Sequence, residues 1–126
     1  MKKLSFLLIG LLAITLVITL MAGVSAQEQT NVYYFYGETC SHCAVVADSN
    51  ILEQVEEMEN VSLAKYENYN DQENRDLFSE VSENVGLEKS QMGIPFIVIE
   101  QDGKYSYLSG DSPIINNLED EIINFK

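Results

Sequence analysis

The two cysteines of the chain, Cys40 and Cys43, stand three positions apart at a seam between two kinds of sequence. Before them runs Val32-Tyr33-Tyr34-Phe35-Tyr36, a β-branched and aromatic stretch ended by Gly37, with the length and composition of a buried strand. After them Ala44, Ala47, Ile51, Val55 and Met58 recur at intervals of three and four, the stripe of an amphipathic helix. Cys40 therefore falls at or just before the first turn of that helix. A bridge between residues so close in sequence closes a tiny loop, and the stabilisation from a cross-link shrinks with the loop. The pair is a poor brace. It has the setting of a reactive pair instead, because unpaired N–H groups and the positive end of the helix dipole favour thiolate over thiol.

The rest of the chain alternates in the same way. Val61 to Tyr66 reads as a second strand. Asn70-Asp71-Gln72-Glu73 opens a helix, with Asn70 as N-cap and Glu73 at the capping-box position. Leu77, Phe78, Val81 and Val85 form its apolar face, and Gly86 closes it. Ile94-Pro95-Phe96-Ile97-Val98-Ile99 is a strand opened by proline, and Asp102-Gly103 turns it back into Lys104 to Leu108. A last helix starts at Gly110 and Asp111 or Ser112, carries Pro113 in its first turn, and turns Ile114, Ile115, Leu118 and Ile122 inward. The order β-α-β-α-β-β-α predicts an α/β fold with a mixed central sheet flanked by helices. Its first two strands are joined by a helix and so pair in parallel; its last two form an antiparallel hairpin.

The first 26 residues read as an export segment. Lys2 and Lys3 form a positive start, Leu4 to Leu20 an uncharged apolar run, and Val24-Ser25-Ala26 a small-residue cleavage site. Leu4 through Val24, 21 residues, is also long enough to span a bilayer, so retention of Met1–Ala26 as an uncleaved anchor is the alternative. Either way the domain at 27–126 is placed outside the cytoplasm. All 20 acidic residues but only five of the seven basic ones lie beyond residue 26, giving that part a formal charge of −15. Such acidity repels nucleic acid and anionic lipid, which removes both as partners. Nothing in the sequence calls for more than a monomer.

His42, the one histidine, lies between the cysteines, where an imidazolium or an N–H donor would stabilise a Cys40 thiolate further. Such settings move a cysteine pKa from about 8.5 into the range of roughly 3.5–7.5 and make the disulfide a stronger oxidant. The geometry makes Cys40 the attacking sulfur and Cys43 the resolving one. From Val32 to about Phe125 the chain resembles a thioredoxin-fold thiol-disulfide oxidoreductase. The segment Tyr36-Gly37-Glu38-Thr39-Cys40-Ser41-His42-Cys43 is similar to the active-site turn of small thioredoxin- or glutaredoxin-like proteins, and Gly93-Ile94-Pro95 to the family's cis-proline loop. The resemblance implies a catalytic set of Cys40, Cys43 and His42 and a cis Ile94–Pro95 bond, with Ile94 and Pro95 offering backbone to substrate; an ordinary trans proline at the strand's first residue is the alternative. It implies no cofactor beyond the redox-active disulfide. The partners would be thiols and disulfides of other exported proteins and a redox partner that recycles the pair. The Ser-His dipeptide resembles that of disulfide oxidases and protein disulfide isomerase, whereas reducing thioredoxins usually carry Gly-Pro.

Two positions depart from thioredoxin proper. Tyr34 stands where thioredoxins place a buried carboxylate, and Thr39 where they have Trp, so no buried base is evident for Cys43. Glu38 is read as a solvated loop acid, with a substitute base as the alternative. Two other readings compete. Gly37 to Cys43 also resembles the loop of heavy-metal-associated domains, where thiolates hold Cu(I). Against this, Glu38 replaces a Met, and a helix follows the second strand where that fold needs a hairpin. A redox-inert interaction domain is a further alternative. A closed zinc site lacks ligands, and a c-type haem needs His where Ala44 stands. The seven tyrosines are read mostly as strand residues, at core and edge, with a ligand surface as the alternative.

Overall fold

The computed structural model describes residues 28–125. The export segment inferred at Met1–Ala26 lies outside them, and among the described residues no helix is long and apolar enough to cross a membrane. Four strands, β1 (Thr30–Tyr36), β2 (Val61–Glu67), β3 (Phe96–Gln101) and β4 (Lys104–Ser109), form one sheet in the order β2-β1-β3-β4. β1 and β2 are parallel; β1 with β3 and β3 with β4 are antiparallel. Phe96 to Ile99 are all fully buried, because this strand lies inside the sheet with layers on both faces. That is why Phe-Ile-Val-Ile runs without a polar alternate. Asp102 and Gly103 both take positive φ, the geometry of a two-residue hairpin turn.

The helix expected after the cysteines is two: α1 (Ser41–Asp48) and α2 (Ile51–Glu56). Asn50 between them is left-handed at φ 60, a conformation asparagine tolerates better than most residues. Ser49 ends α1 by donating its hydroxyl to the Val46 carbonyl at 2.6 Å. The break resets the helical phase. Cys43 and Val46, then Ile51, Leu52 and Val55, face the sheet, while Ala44 and Ala47 of the expected stripe are exposed.

α3 (Gln72–Asn84) is capped by Asp71, whose carboxylate accepts the Asn74 N–H at 3.2 Å, one residue later than the Asn70 cap expected. The Asn70 N–H is engaged by Glu67 instead, as described below. Gly86, at φ +77, lets the chain turn back so that Leu87 N–H reaches the Ser82 carbonyl at 3.0 Å. α4 (Asp111–Ile123) begins after Gly110 and buries Ile114, Leu118 and Ile122.

The sheet separates two cores. On one face Val32, Tyr34, Ile97 and Ile99 pack with Val46, Leu52, Val55 and Leu118 from α1, α2 and α4. On the other, Phe35, Phe96 and Val98 pack with Phe78 and Val81 of α3.

Candidate active site

Strand direction gathers the site. β1 ends at Tyr36, opposite Glu67 at the end of its parallel neighbour. Antiparallel β3 starts on the same edge, with Phe96 opposite Phe35, and β4 returns there, with Ser109 opposite Phe96. Four connections therefore meet: Gly37–Cys43, Glu67–Asn70, Ile94–Pro95 and Gly110–Asp111. The Gly110 N–H donates to the Pro95 carbonyl at 2.9 Å, fastening two of them.

Cys40 and Cys43 form a disulfide. Cys40 is the N-cap of α1: its backbone is extended, its carbonyl accepts the Ala44 N–H at 3.1 Å, and its sulfur accepts the Cys43 N–H at 3.2 Å. A sulfur in this place receives one of the N–H groups that a helix start leaves unpaired. Cys40 is half-buried, and Cys43, inside the first turn, is 4% exposed. The Ile94–Pro95 peptide is cis, Pro95 is fully buried, and the Ile94 carbonyl oxygen lies 4.0 Å from the Cys40 sulfur. The sequence-predicted residues Cys40, Cys43, Ile94 and Pro95 thus come together.

His42 is placed differently. Its Nδ1 is 2.8 Å from Oδ2 of Asp111 at the start of α4, so the ring is turned to a carboxylate and not offered through this nitrogen to the Cys40 sulfur. The bond from His42, followed by that from the Ser112 N–H, holds the Asp111 carboxyl below its usual range. A carboxylate with a lowered folded-state pKa adds stability above its ordinary value of about 3.9, and loses that contribution as the pH falls through the lowered value. Asp111→Asn should therefore flatten the acid limb of the stability profile, measured by chemical denaturation between about pH 5 and about pH 2. A limb as steep as the parent's would remove the pair from this account.

Three residues of the site were not singled out in the sequence. In the sequence Asp111 reads only as a helix start. Glu67 accepts the backbone N–H groups of Asn70 at 2.7 Å, Tyr69 at 3.0 Å and Glu38 at 3.4 Å, tying the β2 loop to the cysteine turn. These bonds, that from Asn70 first, hold its carboxyl below the usual range. Tyr69, expected among strand and core tyrosines, is instead a half-exposed loop residue whose ring covers Gly37. A side chain at Gly37 would run into that ring and stand 2.9 Å from Ile94 Cδ1, so glycine is required by close approach. Glu38 is exposed, as a solvated acid should be.

Tyr34, at the departure noted above, is 3% exposed, and burial with the neighbouring Tyr36 pushes its hydroxyl up to about 12. Behind the disulfide lies a groove of about 270 Å³ bordered by Tyr34, Tyr36, Cys43, Leu52, Glu53 and Lys65, among others.

No protein-family model and no curated protein matches the sequence. Solved structures do match. Mitochondrial thioredoxin 3 of Saccharomyces cerevisiae in its oxidised form superposes with a TM-score of 0.57 at 19% identity, over 86% of this chain and 90% of that one. Spinach chloroplast thioredoxin f gives 0.56 at 19% identity over 79% and 78%. Fasciola hepatica thioredoxin gives 0.54 at 22% identity over 78% and 82%. The fold is that of thioredoxin.

Proposed function

We propose that the chain is a thiol-disulfide oxidoreductase, exported from the cytoplasm, that exchanges disulfides with other exported proteins through Cys40 and Cys43. One observation carries this reading: the bridge sits at a helix N-cap with its half-buried sulfur beside the Ile94 carbonyl and its other sulfur buried. An incoming thiolate has access to Cys40, and the sulfur it displaces is already housed. In the other direction a Cys40 thiolate attacks a substrate disulfide and Cys43 resolves the product. Ile94 and Pro95 hold the substrate strand. His42, in the same turn, supports the thiolate form of Cys40. The Ser-His dipeptide favours an oxidase or isomerase over a reductase. A separate redox protein recycles the pair, and the working unit is a monomer.

The test is a redox equilibrium of the protein in graded glutathione buffers, read by trapping free thiols. The expected midpoint is near or above about −180 mV; a value near −270 mV, roughly that of a thioredoxin, would make it a reductase. A pair locked in one state across the range would end the exchange reading and bring forward Cu(I) binding or a redox-inert interaction domain.

A further inference from the structure

The Tyr34 hydroxyl is buried and has no hydrogen-bond partner among the described residues. A buried donor left unpaired forfeits its hydration with nothing in return, so natural proteins rarely keep one without a use. Phenylalanine would fill the same space without that cost. The ring has little freedom, being stacked on Tyr36 at 5.6 Å and packed in the core beneath α1 and α2. Both Tyr34 and the buried Cys43 border the groove behind the disulfide.

The Cys43 sulfur is the group in that groove whose hunger for a hydrogen bond changes with redox state. In the disulfide it is a weak acceptor. When an incoming thiolate attacks Cys40, a new sulfur–sulfur bond forms there and the Cys40–Cys43 bond breaks. Its electron pair leaves on Cys43 as a thiolate, in a position 4% exposed. The other groove residues serve that charge poorly. Glu38 and Glu53 are acids of the same sign, and the Lys65 ammonium is held by Glu56 at 2.8 Å.

We propose that the Tyr34 hydroxyl becomes the hydrogen-bond donor to the Cys43 sulfur once the disulfide opens and that sulfur is free to turn towards it. The hydroxyl stays protonated at neutral pH, since burial pushes it up to about 12, so it shares its proton without surrendering it. The Cys43 thiolate takes its proton from solvent. The donor is unpaired in the oxidised protein and paired in the reduced one, which favours reduction and makes the disulfide more oxidising. This deepens the exchange reading and rests on it for its biological meaning.

The experiment compares Tyr34→Phe with the parent by guanidinium unfolding of the protein, once with the disulfide intact and once after reduction with excess dithiothreitol. The expected result is a split. The oxidised form is unchanged or gains stability, because an unpaired polar group has gone, while the reduced form loses it. The glutathione equilibrium constant moves about tenfold towards the disulfide, or roughly 30 mV to the negative side. Equal shifts in both forms, or a gain in both, would overturn the proposal and leave Tyr34 a packing residue. The unfolding arm needs no exchange activity. A parent with no glutathione midpoint would sink the proposed function while the reduced-versus-oxidised comparison still judged the hydroxyl.

Discussion

Cys43→Ser is expected to accumulate mixed disulfides with substrate proteins, and Cys40→Ser to form none. The asymmetry follows from where α1 begins. Cys40 is its cap, half-buried, with its sulfur facing the Ile94 carbonyl; Cys43 lies inside the first turn and is 4% exposed. A partner sulfur reaches only the first. Serine at 43 leaves the Cys40 nucleophile in place but removes the thiol that would displace the partner, so the covalent intermediate persists. Serine at 40 removes the nucleophile itself. Turnover of a model disulfide peptide should fall on the order of 10³-fold or more in both variants, as for loss of other covalent nucleophiles. Only Cys43→Ser should yield a species that non-reducing electrophoresis shows and dithiothreitol dissolves. A Cys43→Ser variant that turns over at the parent rate would sink the assignment of roles.

The parts of this site that could be read in the sequence are the local ones. Cys40 at a helix start, the Asp102-Gly103 hairpin and the proline opening β3 each announce themselves within a few residues, because the physics that fixes them acts over one turn. Periodicity was a poorer guide after Cys43. Ala44 and Ala47 fit the helical spacing, but the left-handed Asn50 shifts the phase, and Val46 takes the core position. The long-range partners carry no local mark. His42 meets Asp111 across 69 residues, and Glu67 reaches Glu38 across 29. Those meetings depend on which strand ends share an edge, and so on the order β2-β1-β3-β4. Once that order is known they are almost forced: a parallel β2 must end beside β1, and an antiparallel β3 must start there. Tyr69 was hidden for the same reason, since its value lies in a loop that arrives over Gly37 from another strand.

That loop depends on α3, and α3 depends on Phe78. The ring is 4% exposed and stacks on Phe35 at 4.7 Å, with Phe96 tilted against it at 5.2 Å. Only Val81 and Ser82 join it as buried residues of this helix. From the first turns of α3, Asn74 donates its side-chain amide to the Glu67 carbonyl at 2.8 Å, and Arg75 donates to the Tyr69 carbonyl at 2.9 Å. Phe78→Ala should cost about 3–5 kcal/mol, a large share of the roughly 5–15 kcal/mol that holds a domain of this size. If the helix carries the loop, the damage travels further. Amide hydrogen exchange should accelerate at Tyr69 and Asn70, whose N–H groups donate to Glu67. Leu118→Ala, on the opposite face of the sheet, gives a comparable loss of about 2–5 kcal/mol without touching α3. At matched stability, adjusted with denaturant, the two variants should differ in the protection of Tyr69 and Asn70. Equal protection would mean that Glu67 alone holds the loop, and that α3 only covers the sheet.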